Sequence, residues 1–131
     1  MSSPEYYATL IKPFFSPPAW IFGPVWTILY ILITISFGYV FYLCIKKRLP
    51  ASYALPFVAN LVFNFAYTPI AFGLQNLTLA AVDIVLVLAT LVWMLVKIYP
   101  RVRWVALINI PYLLWVSFAT VLQLSISFMN L

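Results

Sequence analysis

The sequence predicts an all-α integral membrane protein, an up-down bundle of four transmembrane helices behind a proline-rich N-terminal lid. Three observations carry that prediction. Hydrophobic residues make up 66% of the 131 and charged residues 7%, against about 25% charged in soluble domains, and the mean hydropathy is +1.10. The apolar residues fall into four runs, each long enough for the roughly 20 residues that a bilayer core demands. The few charges gather mainly in short connections between those runs. No linker or compositional shift divides the chain, so residues 1–131 read as one domain.

Residues 1–16 are polar and aromatic (Glu5, Tyr6, Tyr7, Lys12) and too short to span. Pro13, Pro17, Pro18 and Pro24 stiffen the approach to the first span. Proline fixes φ and keeps the residue before it out of the α region, so Phe14 to Ser16 should be extended. A helix can start at Pro17 with Ser16 as N-cap, because the N–H that proline lacks is unpaired in a first turn anyway. The first span covers 17–45 and ends at Lys46, Lys47, Arg48 and Pro50. The second, 52–72, carries Pro56 near its start and Pro69 near its end, positions a membrane helix tolerates. Gly73 to Asn76 form a tight turn, and the third span runs over 77–98. Tyr99, Pro100 and Arg101 turn the chain into the fourth, 102–129, where Pro111 predicts a kink.

Four spans leave two loops on one side, and these hold Lys46, Lys47 and Arg48, then Lys97, Arg101 and Arg103. The other side holds the N-terminal segment with one base and one acid, an uncharged turn, and a C-terminus without basic residues. Lysine and arginine favour cytoplasmic loops, so both termini are expected on the non-cytoplasmic side. The net charge of +5 reports this orientation and forms no stripe of the kind that binds nucleic acid. The first apolar run follows prolines and no basic n-region, so it does not read as a cleavable signal peptide.

The chain has no His, one Cys (Cys44) and two acids (Glu5 and Asp83). One chain therefore cannot assemble a His-based triad, a paired-carboxylate site, a CxxC pair or a His/Cys metal cluster, and no metal is expected. Cys44 reads as a small buried or lipid-facing side chain. The informative residues are polar and aromatic ones at membrane depth. At about 1.5 Å per residue, Asp83 lies roughly 9 Å below the outer end of the third span, Asn64 about 12 Å below that of the second, and Trp26 near 9 Å, with Trp115 close to the midplane. Their convergence suggests an aromatic cavity with a few polar groups, opening outward beneath residues 5–16. Each has a plainer reading: Asn64 as interhelical glue, Asp83 as a structural acid bonded to backbone or to Asn, Tyr or Trp donors, Trp26 and Trp115 as core packing. Trp20 and Trp104 look like interface-belt residues.

Three ordered blocks cover most of the chain: Y-Y-A-T-L-I-K-P-F-F-S-P-P-A-W-I-F-G-P-V-W-T-I-L-Y from Tyr6 to Tyr30, N-F-A-Y-T-P-I-A-F-G-L-Q-N-L-T-L-A-A-V-D-I from Asn64 to Ile84, and P-Y-L-L-W-V-S-F-A-T-V-L-Q from Pro111 to Gln123. In this order they resemble the TspO/MBR family, the tryptophan-rich sensory and translocator proteins. The resemblance implies a membrane helix bundle that binds porphyrins, haem, sterols and flat aromatic ligands, with photo-oxidative breakdown of protoporphyrin in several bacterial members. Carried over by motif, the ligand-binding residues are Tyr7 on the lid, Trp26, Asn64, Trp115 and Ala119, with Asp83 as a structural acid. Ala119, one turn after Trp115, would let a flat ligand approach its helix closely. The resemblance implies no intrinsic cofactor, protoporphyrin IX or haem as ligand, a homodimer, and a place in a prokaryotic cytoplasmic membrane.

The sequence departs from the family in several places. It reads as a short form lacking the first of the family's five helices, which normally supplies one wall of the pocket. Tyr6-Tyr7 stands for Trp-Tyr, Tyr67 for a Trp in the second block, and Gln123 for an Asn in the third. The expected function is a membrane binding protein for tetrapyrroles or similar flat apolar ligands in sensing, transport or scavenging. One alternative is a light- and oxygen-dependent porphyrin-degrading enzyme in which Trp26 and Trp115 act, since no thiol pair or His is present. A second is a small four-helix exporter, for which Asp83, near a helix end, is a poor central carboxylate.

Overall fold

The computed structural model describes Leu10, Phe15, Ser16 and residues 18–130. A 3-10 turn over Ala19–Ile21 leads into α1, Phe22–Ile45. The helix start expected at Pro17 lies outside the described residues, and the Ser16 hydroxyl, expected as its cap, is buried with no hydrogen-bond partner among the described residues. The first described turn closes with Ile21 N–H on Pro18 O at 3.1 Å. At its far end α1 closes with a Schellman motif. Arg48 N–H reaches Leu43 O at 2.9 Å and Lys47 N–H reaches Cys44 O at 3.1 Å, with Lys47 in the left-handed region at φ 59°.

The second expected span is one helical run made of three kinds of turn. It comprises a 3-10 turn Ala51–Tyr53, α2 Ala54–Thr68 and a π turn Pro69–Gly73. Pro69 has no N–H to donate to Phe65, and the next turn widens, with Leu74 N–H on Pro69 O at 2.9 Å. α3, Leu77–Ile98, occupies the expected bounds; Asn76 caps it, its Oδ1 accepting from Leu79 N–H at 2.9 Å. The fourth expected span is divided into α4, Arg103–Ile108, and α5, Ile110–Met129. The break at Asn109 is the kink expected from Pro111, sharpened into a separation because proline cannot donate into the preceding turn. Among the described residues, three uninterrupted helices are long and apolar enough to cross a membrane: α1, α3 and α5. The fold is all-helical and membrane-type, but the four continuous helices expected from the sequence are three plus the composite 51–73 run.

α3 packs closely against both α2 and α5, whereas the backbone of α1 approaches its neighbours at few points. Neighbours in sequence run antiparallel: Asn60 faces Val87, Phe57 faces Phe37, and Ser36 faces Asn109. The main core gathers Leu29, Phe37, Phe57, Val87, Leu91 and Tyr112, and a smaller cluster at the opposite end from the basic loops joins Leu122 and Ile126 to Leu10, Phe22 and Phe118. The lid expected over 1–16 falls mostly outside the described residues.

Candidate functional site

α1 and α5 face each other through rings. Phe22 lies edge-on to Trp115 at 5.8 Å, and Trp26 lies edge-on to Tyr112 at 6.4 Å. Side chains of this size hold the two helices apart, because small residues are what let membrane helices come close. The gap is a groove of about 630 Å3 lined by Ile21, Val25, Ile28 and Leu29 on the α1 side and by Pro111, Leu114, Trp115 and Phe118 on the α5 side. Its rim residues Ile28 and Leu114 are 60% and 65% exposed, so it opens toward the surface that lipid covers. Trp115 is flanked by Phe118 at 5.6 Å, and Phe118 by Phe15 at 6.1 Å. The indole N–H of Trp115 is buried without a hydrogen-bond partner among the described residues.

Directly behind the rings runs a chain of hydrogen bonds across the bundle. Tyr30 O–H donates to Asn64 Oδ1 at 3.0 Å, and Asn64 Nδ2 donates to the Tyr112 hydroxyl at 2.7 Å. Tyr112 O–H donates to Asn60 Oδ1 at 2.9 Å, and Asn60 Nδ2 donates to Val87 O at 3.0 Å and Thr90 Oγ1 at 3.1 Å. The chain thus touches α1, α2, α5 and α3 in turn, with the hydroxyl of the fully buried Tyr112 both donating and accepting. A second tie joins Asn109 Nδ2 to Ser36 Oγ at 2.9 Å. Away from the basic loops, Tyr67 donates to Gln123 Oε1, and Ser127 Oγ donates to Leu77 O at 3.0 Å.

Of the residues singled out by sequence, Trp115 lines the groove, and Ala119, one turn on, is partly buried beside the same core. Trp26 and Asn64 stand in the layer behind, joined through Tyr30 and Tyr112. Tyr7 lies outside the described residues. Asp83 is 5% exposed on α3, and among the described residues its Oδ2 has no hydrogen-bond partner. Sequence reasoning missed Asn60, Tyr30 and Tyr112. The signal available was the spacing of Asn60 and Asn64, which puts two amides on one helix face.

Trp20, at the start of the first helical run, and Trp104, beside the basic loops, are both exposed. The two basic loops meet: Lys97 Nζ donates to Ser52 O at 3.1 Å.

The sequence profile of the TspO/MBR family matches residues 1–129. The chain is 36% identical over 127 residues to the tryptophan-rich protein TspO of Archaeoglobus fulgidus, covering 95% of this chain and 80% of that one. It is 32% identical over 119 residues to the tryptophan-rich sensory protein of Cereibacter sphaeroides, covering 88% and 71%. It is 34% identical over 124 residues to the human translocator protein, covering 91% and 71%. A profile match over nearly the whole chain, on a helical membrane fold with tryptophan at its groove, makes this protein a member of the TspO/MBR family.

Proposed function

We propose that this protein is a membrane binding protein for flat apolar ligands of the tetrapyrrole or sterol type, acting in sensing, transport or scavenging. The observation that supports the reading best is the α1–α5 groove, about 630 Å3 with apolar walls and an indole on one side. That volume suits a ligand site, commonly about 300–1,000 Å3, and an extended π-system gains from edge and face contacts with Trp115 and Phe118. None of the lining residues carries an iron-ligating atom and the chain has no His, which favours metal-free protoporphyrin IX over haem. Trp26, Asn64 and Ala119 act around the stacking surface of Trp115. The names of two relatives, a sensory protein and a translocator protein, agree with a sensing or transport role. The basic loops would lie on the cytoplasmic side of a prokaryotic membrane, with both termini outside.

Titrating protoporphyrin IX into detergent-solubilised protein is expected to quench tryptophan fluorescence, and the Trp26→Phe, Trp115→Phe double variant to lose most of that quenching. Quenching unchanged in the double variant removes the assignment.

A second reading, light- and oxygen-dependent porphyrin degradation, draws on the run of oxidisable rings beside the groove, Trp26 to Tyr30 at 5.5 Å and Trp26 to Tyr112 at 6.4 Å. Illumination of the complex in air decides it: Soret absorbance lost no faster than from free porphyrin leaves binding alone.

A further inference from the structure

The end of the bundle that carries the basic loops is more organised than an orientation signal requires. Tyr53, at the head of α2, sits beneath two cations, one from the last turn of α3 and one from the turn that follows it. Lys97 Nζ stands 5.0 Å from its ring centroid and Arg101 Cζ 5.4 Å. Lys97 is further fixed by its bond to Ser52 O. The Arg101 guanidinium, by contrast, has no hydrogen bond or ion pair among the described residues. A guanidinium held over a ring keeps its N–H donors in plane and available for oxygen acceptors. No acid answers these charges: the one acid among the described residues, Asp83, is fourteen residues back along α3 from Lys97, about 21 Å of helix rise. Among the described residues, then, the two cations have no carboxylate partner.

The face below the two cations says what kind of anion fits. Trp93, Lys97 and Arg101 recur at four-residue spacing and so lie along one side of α3 and its extension. Trp93, one turn below Lys97, and Val96, next to it in sequence, are 45% and 70% exposed. A soluble anion has no use for that apolar surface, whereas a phospholipid places its phosphate at the level of Lys97 and Arg101 and its acyl chains against Trp93 and Val96.

We propose that Lys97 and Arg101, held over Tyr53, form a docking site for the phosphate of an anionic phospholipid, with Trp93 and Val96 as its acyl-chain wall. The site is separate from the α1–α5 groove and does not depend on the function assigned to it.

The test is thermal unfolding and native mass spectrometry of the purified full chain in mild detergent, with phosphatidylglycerol, phosphatidylcholine or inorganic phosphate added. At about a fivefold gain per basic residue near a headgroup, phosphatidylglycerol is expected to be retained roughly twenty- to thirtyfold more strongly than phosphatidylcholine at low salt. The Lys97→Gln, Arg101→Gln double variant should lose most of that preference, while Lys46→Gln, Lys47→Gln keeps it; glutamine at 97 can still donate to Ser52 O. Equal retention of the two lipids overturns the proposal. So does a preference that survives in the double variant, or an equal thermal shift from inorganic phosphate. Should the double variant fail to fold, the wild-type comparison of the two lipids and phosphate still decides.

Discussion

On α2, α3 and α5 small or hydrogen-bonding side chains are buried among the large apolar ones: Ala80, Ala81 and Thr90 on α3, Asn60 and Asn64 on α2, Thr120 and Gln123 on α5. Where α1 meets α5, the seam is made of rings, and the backbones stay apart. Lipid tails are as apolar as leucine, so hydrophobicity cannot by itself hold membrane helices together; close packing and internal hydrogen bonds must. The α2–α3–α5 slab has both. The α1 seam has few of either, and the groove lies there. Glycine does not change this, since a Cβ added at Gly23 or Gly38 of α1 meets nothing within 4 Å, so neither serves a close approach.

The sharpest way to break this contrast is to strike the centre of the slab. Asn60→Leu leaves the Tyr112 hydroxyl without its acceptor and removes both amide bonds to α3, and is expected to cost about 1–3 kcal/mol in thermal unfolding in detergent. Combined with Tyr112→Phe the losses should fall short of additivity by at least about 0.5 kcal/mol, because the two belong to one network. Filling the seam tests the other side: Ile28→Trp should weaken protoporphyrin binding about tenfold while leaving stability within about 0.5 kcal/mol, as for a typical surface change. A loss of folding there would mean that the groove is core.

Tyr30→Phe removes the hydrogen bond from α1 to Asn64 and is expected to cost only about 0.6 kcal/mol, the average for such bonds inside a membrane protein. A cost equal to that of Asn60→Leu would erase the distinction between slab and seam. The opposite sign is expected for Gly38→Ala, where an added Cβ meets nothing within 4 Å and which should stabilise α1 by at most about 1 kcal/mol through helix propensity.

The parts of the fold that local chemistry dictates were legible. α3 appears with its expected bounds because Asn76 caps it and no proline interrupts it. Prolines were readable as disturbances but not in kind: Pro69 opens a π turn and Pro111 splits the last span at Asn109, outcomes that depend on which carbonyl loses its donor. The site was legible where an unusual residue stood at depth, as with Trp115. It was not legible in the groove walls, which are ordinary aliphatic residues, nor in the Tyr30–Asn64–Tyr112–Asn60 chain, whose members meet only once the register between helices is fixed.

Two side-chain hydrogen bonds, Tyr30 to Asn64 and Asn109 to Ser36, tie α1 to the other helices among the described residues. At about 0.6 kcal/mol apiece they alter an equilibrium by less than about tenfold together, and any apolar surface that α1 uncovers as it shifts is met by lipid of similar polarity. On this accounting the width of the groove is a soft coordinate, one that lateral pressure in the bilayer can set as readily as contacts within the chain.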